Sequence, residues 1–293
     1  MLGLDPDPAR LWPRAVELAD VAGSRALSPA ARAARAVMAH CGLAIEAVSE
    51  QCVAVKVQVA CFERLGAPGW AALNDVVERA REHELLVIAD AKRGDIDITA
   101  AAYAQAFIGQ TPTAFGPVPG LGADALTVNP LLGTDSLLPI VATARASGAG
   151  VFVLVRTSNP GAVDVQELEC DSGRTVSDRL AAMVAELGQP DADRPLSDVG
   201  AVVGATAPER MEALRRLMPR AIFLLPGVGG QGGRIEELAA VFAPGPAGGL
   251  VAVSRGIVNA HERTGGDPAA AASREAARLR ELTWRVAARG SLD

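Results

Sequence analysis

Eight short apolar runs recur along the chain, and segments with helical periodicity separate them. The runs cover residues 2–4, 52–57, 85–89, 125–128, 151–155, 199–203, 222–225 and 250–253. Short apolar runs bounded by polar or turn residues are typical of strands buried in parallel sheets. Eight strands alternating with helices predict a (β/α)8 barrel, a TIM barrel, as a single domain over 1–293. A doubly wound open sheet is the alternative, but eight regular units fit a closed barrel better.

Start signals and periodicity predict several of the helices. A capping residue is followed by proline at Ser28-Pro29 and at Asp267-Pro268, which predicts helices from both points. Apolar residues at helical spacing predict a further α-helix over 235–242.

Composition limits the classes of function. The net charge is −6 and no run of Lys or Arg exceeds two residues, so nucleic acid is not an expected partner. There is no apolar stretch long enough to span a membrane and no signal-peptide pattern, so we expect a cytoplasmic chain without membrane contact. The four cysteines lack C-x-x-C spacing and the three histidines form no ligand pattern, so no metal is expected.

Charged residues follow several of the predicted strands. Asp90 and Lys92 end the third strand on one face, because side chains two apart on a strand point the same way. Asp5 ends the first strand, and Lys56 lies at the end of the second. An isolated Asp-x-Lys pair is most often a structural ion pair, but the ends of all barrel strands surround one mouth, where barrel enzymes build their sites. We therefore expect a site of lysines and aspartates at this mouth.

The last two predicted strands lead into a candidate phosphate site. Residues 226–233 read PGVGGQGG, and Arg255 follows the eighth strand. Backbone N–H groups of a glycine-rich loop can approach an anion, a helix beginning at Gly232 or Gly233 would add its positive end, and arginine adds a forked donor. Phosphate sites after strands seven and eight recur in barrels. The glycines of this predicted site are Gly229, Gly230, Gly232 and Gly256.

The residue types at the mouth favour carbanion chemistry. No Ser-His-Asp arrangement, redox cysteine pair or dinucleotide fingerprint is evident in the sequence. Lysines and aspartates without a cofactor suit proton transfer to a carbanion, or its stabilisation. A Schiff-base lysine is the alternative, but neighbouring carboxylates raise the pKa of a lysine and so disfavour it.

The segment from Asp90 to Thr99 reads DAKRGDIDIT and resembles the D-x-K-x-x-D-I-x-x-T signature of the orotidine 5′-phosphate decarboxylase family. Lys56 in VKVQ, the TSNPGA segment at 157–162, the 226–233 loop and Arg255 match that family in the same order. The forms DAKRGDI and TSNPGA are similar to those of its longer bacterial branch, type 2.

This resemblance implies conversion of orotidine 5′-phosphate to UMP and CO2, the last step of de novo UMP synthesis, without a cofactor. It implies that Lys92 stabilises and then protonates the C6 carbanion, and that Asp90 lies beside the departing carboxylate. The implied charged catalytic network consists of Lys56, Asp90, Lys92 and Asp95.

The resemblance also implies substrate contacts and a homodimer. Asp5 and Lys56 are expected to hold the ribose hydroxyls and Ser158 the pyrimidine edge. Gln231 and Arg255 are expected to hold the phosphate. Across the interface of the homodimer, Asp95 is expected to reach the partner's site, with Ile96 and Thr99 beside it.

Two alternatives to this function remain. Related enzymes that act on sugar phosphates share the D-x-K-x-x-D core but typically use a divalent metal. A barrel that binds a nucleotide without catalysis would have lost a charged residue, yet all four are present here. Metal-independent activity separates the decarboxylase from the sugar-phosphate enzymes.

Overall fold

The structure is a computed structural model that describes residues 1–20, 26–170, 173–188 and 195–290. The chain divides into two compact units. The first comprises Met1–Ala91 and Ser254–Arg280, and the second comprises Lys92–Val253 and Glu281–Asp293. All eight predicted strands are found among the described residues, with bounds that differ from the prediction by a few residues.

The first unit contains parallel strands flanked by helices. Its strands are β1 (Leu2–Leu4), β2 (Ala54–Gln58) and β3 (Leu86–Arg93), of which β3 continues into the second unit. Strand β2 pairs in parallel with both others, with Leu2 opposite Val55 and Asp90 opposite Gln58. The helices are α1 (Pro13–Ala19), α2 (Pro29–Val48), α3 (Ala60–Glu63), α4 (Ala67–Glu82), α9 (Arg255–Val258), α10 (Ala260–Thr264) and the first part of α11 (Pro268–Gly290).

Local sequence accounts for the long helix α2. The Ser28 hydroxyl accepts a hydrogen bond from the Ala31 N–H at 3.2 Å, and Pro29 occupies the first helical position. The helix then buries an apolar face at spacings of three and four residues, which includes Val37, Cys41 and Ile45. The predicted start of this helix is confirmed.

The second unit has a parallel sheet in the order β6 (Ala125–Val128), β7 (Gly150–Arg156), β8 (Val199–Val203), β9 (Phe223–Leu225) and β10 (Gly249–Val251). An unpredicted antiparallel hairpin of β4 (Gln110–Thr111) and β5 (Val118–Pro119) precedes β6. The helices are α5 (Asp97–Ile108), α6 (Thr134–Ser147), α7 (Val176–Leu187) and α8 (Pro208–Leu217).

The α-helix predicted over 235–242 is wrong, and so is the helix expected to begin at Gly232 or Gly233. This segment forms two 3-10 turns, Ile235–Glu237 and Ala239–Phe242. The buried side chains include Ile235, Leu238 and Val241, a spacing of three that matches the 3-10 repeat. The predicted phosphate loop therefore has no α-helix N-terminus behind it.

No helix in the described ranges is long and apolar enough to cross a membrane.

All four cysteines are free, and burial raises the pKa of the fully buried Cys41 thiol.

Candidate active site

In the first unit, the side chains of Lys56 and Asp90 form a buried ion pair. The Lys56 Nζ lies 2.5 Å from the Asp90 Oδ2 and 3.9 Å from the Asp5 Oδ1. The side chains of Lys56 and Asp90 are each 8 % exposed, whereas that of Asp5 is 39 % exposed. Three of the predicted site residues therefore lie together, and of these three Asp5 is the most exposed to solvent.

This charge arrangement fixes the protonation of Lys56. Burial alone would lower the pKa of the Lys56 ammonium, because a charge is costly to dehydrate. The negative charges of Asp90 and Asp5 outweigh that effect, and the net pKa of Lys56 is raised. Lys56 is thus held as a permanent cation between two carboxylates.

Parallel strand pairing explains why these residues meet. Lys56 lies opposite Ile88 in the register of β2 and β3, and Asp90 is two residues further along β3 on the same face. The Val59 N–H donates to the Asp90 carbonyl at 3.3 Å and so extends the pairing past the end of β2. The long side chain of Lys56 spans the two-residue distance along the strand that remains between Lys56 and Asp90.

Asp5 and Arg255 line one cavity of about 250 Å³ in the first unit. Asp7, Arg10, His40 and Asn259 also line it. Asp5 is a predicted ribose ligand and Arg255 a predicted phosphate ligand, and the exposed guanidinium of Arg255 is open to an anion.

A residue that the sequence analysis missed holds the Asp5 loop. The Arg64 guanidinium donates to the Pro6 carbonyl at 2.5 Å, directly after Asp5 in the chain. Nothing in the sequence indicates this contact, because Arg64 and Pro6 are 58 residues apart.

In the second unit, Lys92 occupies an unusual backbone conformation at the end of β3. Its φ is +49°, in the left-handed region that residues other than glycine rarely adopt. The Lys92 N–H donates to the Thr127 hydroxyl at 3.0 Å. Asp95 follows and accepts a hydrogen bond from the Ile96 N–H at 2.8 Å. Lys92 is exposed, and so it is open to a substrate.

Ile96 and Thr99 lie at the start of α5. Ile96 is 56 % exposed, and Thr99 is exposed as well. Their backbones are joined by a hydrogen bond from the Thr99 N–H to the Ile96 carbonyl at 3.2 Å. The second unit thus presents Lys92, Asp95, Ile96 and Thr99 on one short stretch of backbone.

Ser158 and Gln231 are brought into direct contact within the second unit. The Ser158 hydroxyl donates to the Gln231 side-chain oxygen at 2.7 Å. The Thr206 hydroxyl donates to the Ser158 carbonyl at 3.0 Å, and a Cβ on Gly204 would lie 2.6 Å from the Ser158 Cα. Gly204 and Thr206 follow β8, for which the sequence analysis had no site residue. A glycine and a threonine directly after an apolar run were the signal that could have identified them.

An ionic network supports the segment that carries Ser158. Arg156, at the end of β7, pairs with Glu167 at 3.1 Å. Arg210 contacts both Glu167 and Asp178, at 3.5 and 2.7 Å. These contacts join the segment after β7 to helices α7 and α8, and so restrict where Ser158 can lie.

The glycine-rich loop at 226–233 bonds to itself. The Gly229 N–H donates to the Gly233 carbonyl at 2.9 Å, and the Gly232 N–H donates to the Gly229 carbonyl at 2.9 Å. The Gly230 N–H also donates within the loop, to the Val228 carbonyl at 3.1 Å. In this conformation the N–H groups of Gly229, Gly230 and Gly232 are already occupied. The side chain of Gln231 remains exposed for contact with an anion.

Comparisons with known proteins identify the family of the chain. Residues 36–274 match the model of the orotidine 5′-phosphate decarboxylase / HUMPS family. An orotidine 5′-phosphate decarboxylase of Rhodopirellula baltica is 45 % identical over 232 residues, 78 % of this chain and 75 % of that protein. One of Deinococcus radiodurans is 45 % identical over 215 residues, 73 % of this chain and 74 % of the relative.

Solved structures extend the similarity to the fold. The structure of Leishmania donovani OMP decarboxylase has a TM-score of 0.70 at 30 % identity and covers 97 % of this chain and 92 % of its own. A Streptomyces avermitilis protein described as a candidate orotidine 5′-phosphate decarboxylase has a TM-score of 0.74 at 36 % identity. The match covers 98 % of this chain and 90 % of that protein. The predicted (β/α)8 fold class is thereby confirmed, and the chain belongs to the orotidine 5′-phosphate decarboxylase / HUMPS family.

Proposed function

We propose that this chain is a cofactor-independent carbon–carbon lyase that converts orotidine 5′-phosphate to UMP and CO2 in pyrimidine biosynthesis. The observation that carries the proposal is the buried Lys56–Asp90 pair with Asp5 beside it, in which Asp90 precedes Lys92 by two residues in the chain. Membership of the family and relatives that are 45 % identical support this substrate. We also propose that 1–293 acts as one catalytic domain in the cytoplasm.

In the proposed reaction, the bond between C6 and the carboxylate carbon breaks and its electron pair stays on C6. CO2 leaves, and the Lys92 ammonium transfers a proton to C6 and is later reprotonated from solvent. A cation about 4 Å from a developing carbanion is worth about 4 kcal/mol at an effective dielectric of about 20. Each 1.4 kcal/mol is about tenfold in rate, so this charge alone contributes several hundredfold or more.

Lys56 is unsuited to donate that proton. It is buried, its pKa is raised by Asp90 and Asp5, and its Nζ lies 2.5 Å from the Asp90 carboxylate. Its role is to hold Asp90 and Asp5 in place and to offset their charge. Among the four charged residues, Lys92 is the lysine that combines exposure with a position at the end of β3.

Each substrate contact is assigned to a named residue. Asp5 and Lys56 bind the ribose hydroxyls, Arg255 and Gln231 bind the phosphate, and Ser158 binds the pyrimidine edge. For Ser158 and Gln231 this requires that their mutual hydrogen bond of 2.7 Å be exchanged for bonds to the substrate. The binding of a remote phosphate can supply the energy for such rearrangement.

We also propose a homodimer in which Asp95 reaches the partner's site, with Ile96 and Thr99 beside it. Large apolar side chains near this stretch support an interface, because exposed apolar surface is favourable to bury. Ile96 is 56 % exposed, and Ile98 and Leu131 are each 80 % exposed.

The alternative is a sugar-phosphate enzyme of the same superfamily, which the family description also covers. The test is the ultraviolet absorbance of orotidine 5′-phosphate mixed with purified protein in EDTA, with Lys92→Ala as the control variant. Conversion to UMP by the wild-type protein and none by Lys92→Ala supports the proposal. No conversion in EDTA, with activity on a sugar phosphate once Mg²⁺ is restored, favours the alternative.

A further inference from the structure

The backbone at Lys92 is strained, and Lys92 is the residue that the proposed function makes the proton donor. A φ of +49° brings the Cβ of a lysine close to its own backbone, so such a conformation persists only where surrounding contacts enforce it. Strained backbone of this kind clusters at active sites, where it aims a side chain. The contacts that enforce it at Lys92 are therefore candidates for a functional role.

The first such contact is the hydroxyl of Thr127 on β6. Its side-chain oxygen accepts the Lys92 N–H at 3.0 Å, and Thr127 is 1 % exposed. Its neighbours on the strand, Leu126 and Val128, are fully buried aliphatic residues. A threonine in such a run costs more to bury than the valine of the same shape, which indicates that its hydroxyl has a specific use.

Further contacts hold the next two residues. The Asn129 N–H donates to the Arg93 carbonyl at 2.8 Å, and a Cβ on Gly94 would lie 2.8 Å from the Asn129 carbonyl oxygen. The Arg93 guanidinium lies 5.5 Å from the ring centroids of both Tyr103 and Phe107 on α5. The segment after Lys92 is thus fixed by its backbone and by its side chain, while the Thr127 hydroxyl bonds to the backbone of Lys92 itself.

We propose that Thr127 is a positioning residue for Lys92, and that its hydroxyl holds the left-handed backbone that aims the ammonium. This inference rests on the proposed function, because it takes Lys92 as the proton donor. Thr127 acts through the backbone of Lys92 and is assigned no contact with substrate. Loss of the hydroxyl should therefore impair turnover more than substrate binding.

The experiment compares kcat and KM for orotidine 5′-phosphate in Thr127→Val, which keeps the shape, and Thr127→Ser, which keeps the hydroxyl. We expect a loss of about 100-fold in kcat for Thr127→Val, because small misplacement of a reacting group has effects of that size. KM should stay within about threefold, and Thr127→Ser should recover most of kcat. Thr143→Val is the matched control, since it removes a hydroxyl that donates to the Pro139 carbonyl at 3.0 Å inside α6, and kcat should be unchanged.

Several outcomes would overturn the inference. An unchanged kcat in Thr127→Val refutes it, and so does an equal loss in Thr127→Val and Thr127→Ser. If Thr127→Val does not fold, Thr127→Ser and Thr127→Ala give the same comparison, because they differ only by the hydroxyl. An inactive wild-type protein overturns the proposed function and this inference with it, whereas an active one with an unaffected Thr127→Val overturns this inference alone.

Discussion

Acid should destabilise this protein through His40, a buried neutral histidine in the wall of the cavity that Asp5 and Arg255 also line. His40 is 4 % exposed, and its Nδ1 accepts the Trp12 N–H at 3.1 Å. The two rings lie edge to face with centroids 5.3 Å apart. Burial, and to a smaller extent the charge of His261, lowers the pKa of His40 to about 4 from 6.5.

The sign and size of the effect follow from that pKa. Between pH 6.5 and about 4, His40 binds a proton in the unfolded chain but not in the folded one, so the free energy of unfolding falls as pH falls. One pH unit is worth about 1.4 kcal/mol, so the interval corresponds to about 3 kcal/mol. The full stability is present above pH 6.5, and this contribution is lost by about pH 4.

The assay is urea unfolding of wild type and His40→Asn at pH values from 7.5 to 4, followed by tryptophan fluorescence. Asparagine keeps an acceptor for the Trp12 N–H but does not titrate in this range. We expect the wild type to lose about 3 kcal/mol more than the variant over this range. His261→Asn should narrow the pH range over which the free energy of unfolding falls, because it removes the second cause of the lowered pKa of His40. Parallel pH profiles for wild type and His40→Asn would refute the reasoning.

Three further predictions concern the charged residues. Lys92→Ala should abolish turnover while UMP binding, measured by calorimetry, changes by only a few-fold; full activity would remove Lys92 as the proton donor. Arg255→Ala should weaken binding of UMP by about 10- to 100-fold, as expected for a lost charge-assisted contact, without a matching effect on uridine; equal losses for both would argue against a phosphate contact. Lys56→Met should destabilise the fold by about 3 to 5 kcal/mol in urea unfolding, because it leaves Asp90 charged and buried, and Lys56→Met with Asp90→Leu should recover much of that loss. A double variant no more stable than the single one would show that the lost ion pair is not the cause.

The strands and the starts of α2 and α11 were predictable because local patterns determine them. Apolar runs such as 125–128 and 199–203 coincide with β6 and β8, and the Ser28-Pro29 signal coincides with the start of α2. The segment 235–242 was mispredicted because spacings of three and four share residues over a short stretch. The backbone hydrogen bonds make the difference, because the Leu238 N–H donates to the Ile235 carbonyl and the Val241 N–H to the Leu238 carbonyl, each three residues back and at 3.0 Å.

The charged cluster was predictable in part. Residues at the ends of neighbouring parallel strands must lie close together, which anticipates the Lys56–Asp90 contact. The supporting contacts follow no such rule, because Arg64 reaches Pro6 and Thr127 reaches Lys92 across long stretches of chain. The hydrogen bonds of the Gly229 N–H and its neighbours were not predictable either. They arise because the loop folds back on itself, which composition does not determine.

The two lysines of the predicted network are alike in sequence and different in structure. Each lies in or directly after an apolar run that forms a strand, and so the pattern gives both the same chemistry. Lys56 is buried between Asp90 and Asp5 with a raised pKa, which makes it a fixed charge. Lys92 is exposed on a left-handed backbone, which is a costly arrangement for a residue without a role. Under the proposed function, we infer that the fold uses Lys56 to hold the carboxylates and leaves Lys92 to move the proton, a division that burial and backbone geometry support.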